Sequence, residues 1–136
     1  MQEKSKLAER ILDQIADAVI CVNHSGTIIR WNHASSSLFG YSTQEALGQR
    51  VDLIIPGHLR AAHWSGFNAG MANGVTKLQG RPTRTRALHR SGQRLYVEMS
   101  FAIVKGDTED NVLGAVAVAR DVTERVEQER DASRSS

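Results

Sequence analysis

From Leu95 onward the chain alternates with a period of two: Leu95, Val97, Met99, Phe101 and Ile103 are apolar, and Arg94, Glu98 and Ser100 face the other way. That period suits a strand with one buried face, because successive side chains on a strand point to opposite sides. The start of the chain runs on a different period. Leu7, Ala8, Ile11, Leu12, Ile15 and Ala16 recur every 3.6 residues, which predicts an amphipathic helix over 3–16. A chain that begins at one period and ends at the other has to pack helices against a sheet.

Local signals divide the rest. Ala18–Val22 and Thr27–Trp31 flank the turn residues Asn23, His24, Ser25 and Gly26, a hairpin. Asn32 caps a short helix over His33–Phe39, and Gly40 ends it. Ser42 and Glu45 form a capping-box pattern, with Gly48 closing that helix. Val51–Ile55 is apolar ahead of Pro56, and a longer helix over His58–Asn73 stops at Gly74. Thr83–Arg90 alternates before the Ser91-Gly92 turn, Lys105–Asn111 is a polar turn containing Asp107, Glu109 and Asp110, and Val112–Arg120 is the last strand. Asp121 and Glu124 repeat the capping-box pattern, opening a polar helix that frays toward Ser136. The order is α+β, with an antiparallel sheet.

Composition narrows the function. The chain has 136 residues, room for one core. One cysteine, Cys21, excludes an internal disulfide and a multi-thiolate metal site. No apolar run approaches the length that spans a bilayer, and no secretory leader is recognisable, so a cytoplasmic location without membrane contact is expected. Seventeen basic and fifteen acidic side chains leave a net charge of +2, poor grounds for a nucleic-acid partner. Arg81, Arg84, Arg86, Arg90 and Arg94 lack interleaved aromatics and read as a solvated strand face. No nucleophile–base pair or phosphate loop stands out, so no enzymatic activity is expected within this segment.

The last strand bears on the interior. Ala115, Ala117 and Ala119 share one face, and Val112, Val116 and Val118 share the other with Gly114. Two uncharged faces place it centrally and covered on both sides. The small residues leave room for either bulky helix side chains or a ligand. Leu7–Ala16 is the candidate cover for the second face, alone or with a second subunit.

In this order, Ile15–Ile20, Gly26–Asn32, Leu38–Gly48, Ile54-Ile-Pro56, His89–Gly92 and Ala119–Arg125 resemble a PAS (S-box) sensory domain. The resemblance implies a five-stranded antiparallel sheet in order 2-1-5-4-3 with short helices on one face enclosing a ligand pocket. It divides the chain into an N-terminal flanking helix (1–16), a core (17–121) and a C-terminal linker or signalling helix (122–136). Asp121, Thr123 and Arg125 are the signalling residues it implies.

The stretch around Ile55-Pro56 and His63 is similar to haem-bearing, oxygen-sensing PAS domains, in which a histidine at this distance from the Ile-Pro pair ligates haem iron. The similarity puts Met99, Phe101 and Ala117 at positions lining the haem pocket. An oxygen-contacting arginine of those domains falls here on Thr83, and a methionine that is the sixth ligand in one branch falls on Arg81. The other reading of His63 is a packing or capping histidine. Trp64 and Trp31 could stack a planar ligand, although an isolated tryptophan also suits a core. Photoactive flavin chemistry of the LOV type needs a cysteine in an Asn-Cys-Arg context on a helix. Cys21 lies in the first strand, so that flavin is excluded.

The expected function is therefore a bacterial sensory module that binds a small molecule and relays the change to a kinase, cyclase or regulator domain. The alternative is a ligand-free dimerisation module. In either case a homodimer is expected through Leu7, Ile11 and Ile15 together with the outer sheet face.

Overall fold

The computed structural model describes residues 2–108 and 111–135. Glu109 and Asp110 of the expected polar turn lie outside the described residues, as do the end positions 1 and 136 of the expected flanking segments. The elements run α1 (Gln2–Gln14), β1 (Ala18–Asn23), β2 (Ile28–Trp31), α2 (His33–Phe39), α3 (Thr43–Ala46), α4 (Arg60–Asn73), β3 (Thr83–Leu88), β4 (Arg94–Lys105), β5 (Val112–Asp121) and α5 (Thr123–Ser135). Two 3₁₀ turns, Val51–Ile54 and Gly57–Leu59, lead into α4, so the expected helix from His58 begins as a 3₁₀ turn.

The sheet is antiparallel throughout, in the order β2-β1-β5-β4-β3. Register confirms the two faces read from the last strand. Ala117 pairs with Ile20 and Phe101, Ala115 with Val22 and Ile103, and Ala119 with Ala18 and Met99, all on the helix-covered face. Val118 pairs with Val19 and Ser100, and Val116 with Cys21 and Ala102, on the opposite face.

Local chemistry sets the helix ends. Asn32 Oδ1 accepts from the Ser35 amide, and Gly40 closes α2 in the left-handed conformation at φ 85°. The Ser42–Glu45 capping box forms in both directions. Asn32 also reaches back to α1: its Nδ2 donates to the carbonyls of Leu12 and Asp17, at 2.7 and 3.0 Å. The Leu12 carbonyl would otherwise accept from Ala16, so α1 ends at Gln14 and Ile15–Ala16 fall outside it.

The apolar stripe of α1 is not buried within this chain. Leu7, Ile11 and Ile15 are 60%, 49% and 38% exposed. The helix is held at its side by Glu9–Arg30 at 2.8 Å and by the Asn32 bonds. β3 stops at Leu88, two residues short of the expected end. The His89 ring turns the chain locally by accepting from the Ser91 amide, and the Arg90 amide donates to the Phe39 carbonyl.

The start of α5 corrects the second capping box. Asp121 accepts from the Thr123 amide at 2.9 Å, a turn two residues long, and among the described residues Glu124 makes no return bond. The Thr123 hydroxyl instead accepts from the Tyr96 amide at 2.9 Å and donates to the Tyr96 carbonyl at 3.4 Å. The Val122 amide also donates to that carbonyl. α5 then lies along β4: Val122 and Val126 are buried, Arg130 sits 4.9 Å over the Tyr96 ring, and Glu129 pairs with Arg84 at 3.0 Å.

Candidate functional site

One end of the helix-covered face is filled. Phe39, Ile20 and Ile28 are fully buried there, and the Trp31 ring lies 5.6 Å from that of Phe39. Polar groups in this region are bonded: Asn32 Oδ1 accepts from the Val19 amide and the Ser35 hydroxyl, and Trp31 Nε1 donates to Ser36 Oγ and the Tyr41 carbonyl.

Beneath α4 the same face is hollow. The stripe of α4 facing the sheet is Ala62, His63, Gly66, Phe67 and Gly70, spaced three and four residues apart. Opposite stand Ala115, Ala117, Ala87, Thr83 and Thr85. Small residues on both walls leave a cavity of about 410 Å³ with a mostly hydrocarbon lining. That lies within the roughly 300–1,000 Å³ of small-molecule sites.

His63 brings a buried polar atom to this wall. Its Nε2 is buried and has no hydrogen-bond partner among the described residues. The ring stacks on Phe67, with centroids 6.2 Å apart and planes 20° apart, and meets Trp64 edge-on at 4.8 Å. Burial pushes the imidazole below its ordinary pKa, and the Asp52 carboxylate opposes that shift. The ring is therefore neutral at neutral pH and keeps a ring-nitrogen lone pair. A buried polar nitrogen left unbonded costs stability and invites a ligand as its partner.

The structure brings His63, Thr83, Met99, Phe101 and Ala117 together on the cavity wall. Trp64, expected with them, points elsewhere. Adjacent helix positions diverge by about 100°, and the Trp64 indole packs over Gly26 in the β1–β2 turn. Its Nε1 donates to Asp52 Oδ1 at 2.7 Å, and the Arg50 guanidinium lies 4.3 Å over the ring. Arg81 is exposed, with its Nε donating to the Leu78 carbonyl. Cys21 lies on the opposite sheet face, and burial raises its thiol pKa against the lowering effect of Arg30.

Sequence reasoning missed Gly66, Gly70 and Thr85. The signal was present as a small-residue stripe on one helix facing alternate positions of β3, but recognising it requires knowing that the two face each other. Among the described residues, no group of three or more His, Cys, Asp or Glu side chains could hold a metal ion. No described helix is long and apolar enough to cross a membrane.

The family model described as "PAS domain" matches residues 16–124. The chain is 25% identical over 117 residues to the oxygen sensor protein DosP of Escherichia coli, covering 86% of this chain and 14% of that protein. It is 29% identical over 114 residues to the sensor protein FixL of Bradyrhizobium diazoefficiens, covering 84% of this chain and 22% of that one. The chain thus spans less than a quarter of the length of either relative. The crystal structure of a PAS domain from Colwellia psychrerythraea superposes with a TM-score of 0.76 at 27% identity, covering 89% of this chain and 98% of that one.

Proposed function

The chain belongs to the PAS domain family and is related to sensor proteins; from that premise we propose that it binds haem in the cavity beneath α4, with His63 as the iron ligand, and serves as the gas-sensing input of a larger signalling protein. The buried, unpartnered Nε2 of His63 on an apolar cavity wall carries this reading. The donor set fits the group: a neutral imidazole is a common iron ligand, and haem supplies an iron centre to which a small gas can bind. Ala62, Gly66 and Ala117 keep the space open, Phe67 stacks on the ligating ring, and Met99 and Phe101 exclude water. The Thr83 hydroxyl, on the same cavity lining, is one polar group available to a bound gas, with Thr85 beside it on β3.

Relay runs through the sheet. Phe101 pairs with Ala117 across β4–β5, and both strands lead to the Thr123–Tyr96 tie that holds the start of α5. Strain at the cavity wall reaches α5 along these bonds, and from there an output kinase, cyclase or regulator domain. Catalysis belongs to that output domain, not to this chain. The exposed stripe of Leu7, Ile11 and Ile15 serves as a homodimer contact, with the partly apolar outer sheet face beside it.

The test is a visible absorption spectrum of the purified chain with and without added haemin, repeated on His63→Ala. The expected result is a Soret band that the substitution abolishes. A flat spectrum for the unsubstituted chain overturns the haem reading and leaves a ligand-free interaction module. In that case, Ile11→Asp with Ile15→Asp would be expected to break the dimer in light scattering.

A further inference from the structure

The helix that carries His63 stands over a cavity and does not fill it. Of its inward stripe, Ala62 and Gly66 are too small to fill that space, while Phe67 packs on the core and Gly70 comes close to Ile103. A second set of contacts holds α4 on its other side. Trp64 donates its indole N–H to Asp52 Oδ1 at 2.7 Å, with Arg50 stacked on the ring at 4.3 Å. Arg60, one turn earlier, donates to the Asp52 carbonyl at 3.3 Å and to the Ile55 carbonyl at 3.1 Å. Asp52 therefore grips α4 at two points, through its side chain and its backbone. Beneath the indole is Gly26, at φ +78°, where a Cβ would overlap the Trp64 ring. The site for the indole is thus shaped by the β1–β2 turn as well as by the 3₁₀ turn.

We propose that Asp52 and Trp64 are positioning residues for His63: their hydrogen bond fixes the rotation of α4 about its axis and so holds the imidazole on the cavity wall. His63 and Trp64 are consecutive, about 100° apart around the helix, so anchoring the indole outside the cavity places the imidazole inside it. Partners one step removed from a metal ligand typically change metal affinity by about 10–100-fold when removed. The inference rests on the haem reading for its consequence, but the positioning itself can be measured without haem.

The experiment compares the unsubstituted chain with Trp64→Phe, Asp52→Ala and the double variant. Phenylalanine keeps an aromatic ring and removes the N–H. In the first arm the haem-free chain is treated with diethyl pyrocarbonate, and modification of each histidine is followed by peptide mass spectrometry. His63 is expected to be protected in the unsubstituted chain and to react about tenfold faster or more in each single variant. The exposed His24 and His33 are expected to keep their rates. In the second arm haemin is titrated into each chain. Each single variant is expected to bind about tenfold more weakly, and the double variant no more weakly than the weaker single, because both remove one shared bond.

Unchanged His63 reactivity in both single variants overturns positioning, whatever happens to haem affinity. A uniform rise at all histidines also overturns it, since that reports unfolding. If the unsubstituted chain takes no haemin, the haem reading fails separately, and the first arm alone decides whether Asp52 and Trp64 position His63.

Discussion

The two ends of the helix-covered sheet face use the same backbone and opposite packing. Under α2, Phe39 is 0% exposed with its ring 5.6 Å from that of Trp31, and Asn32 bonds to Val19, Ser35, Leu12 and Asp17. Under α4, alanine and glycine face alanine and threonine across a cavity, and the His63 Nε2 has no partner among the described residues. The end that fixes the fold is filled and bonded. The end with a ligand-sized space has given up both. Sites commonly break local packing rules that the rest of a protein keeps, so truncations should cost less at the hollow end than at the filled one, and some substitutions there should gain stability.

The largest effect is expected at Phe39. Phe39→Ala should lower stability by about 3–5 kcal/mol, the usual cost of emptying a close-packed aromatic site, read as a fall in the urea midpoint. Phe67→Ala, on the cavity wall, should cost about half as much, because half-buried Phe67 borders space that is already open. Equal losses at the two phenylalanines would show that α4 packs as tightly as α2 and would break the comparison.

Asn32→Ala should follow, at about 2–4 kcal/mol. It removes a helix cap and strands the Val19 amide, which lies in a buried environment. It also frees the carbonyls of Leu12 and Asp17, so limited proteolysis should begin in residues 15–17. Loss of stability without new cleavage there would mean that α1 is held by Glu9–Arg30 and not by Asn32.

What was legible in the sequence divides along the same line. Asn32, Gly40, Ser42 with Glu45, and Gly74 act within three or four residues, so their roles could be read from spacing. Alternation gave the two faces of β5 because strand period is a local property. Less legible were features that depend on distant partners. α1 ends early because a side chain twenty residues on takes its carbonyl. Thr123, not Glu124, secures α5 because Tyr96 lies beside it. Trp64 leaves the cavity because Asp52 and Gly26 receive it. The cavity itself is a gap between two walls, legible only from the alanines of one wall until the other is known.

At His63 the sign should reverse. His63→Leu replaces a buried, unbonded nitrogen with hydrocarbon and should stabilise the haem-free chain by about 1 kcal/mol at neutral pH. The gain should grow in acid. Burial holds the folded pKa below the ordinary 6.5. As pH falls from 6.5 toward the folded value, the unfolded chain takes up a proton that the folded chain refuses, and stability is lost. The leucine variant lacks that term, so its denaturation midpoint should fall less between pH 7 and pH 5. Parallel pH curves for the two proteins would mean that His63 is not the group responsible.

The smallest effect is the sharpest test of the hollow end. Gly66 lies inside α4, and a Cβ there would meet nothing within 4 Å. Gly66→Ala should therefore stabilise the chain by about 0.5–1 kcal/mol, the helix-interior difference between the two residues. If α4 and the sheet were in contact at this point, the added methyl would instead have to displace a neighbour and the substitution would destabilise. Gly66 lines the space assigned to haem, so the more stable variant should bind haemin more weakly than the unsubstituted chain. A gain in stability with unchanged haemin affinity would place the ligand elsewhere along the cavity, away from the Gly66 turn. A loss of stability would show that the glycine is there for close packing, and the cavity would no longer distinguish one end of the sheet from the other.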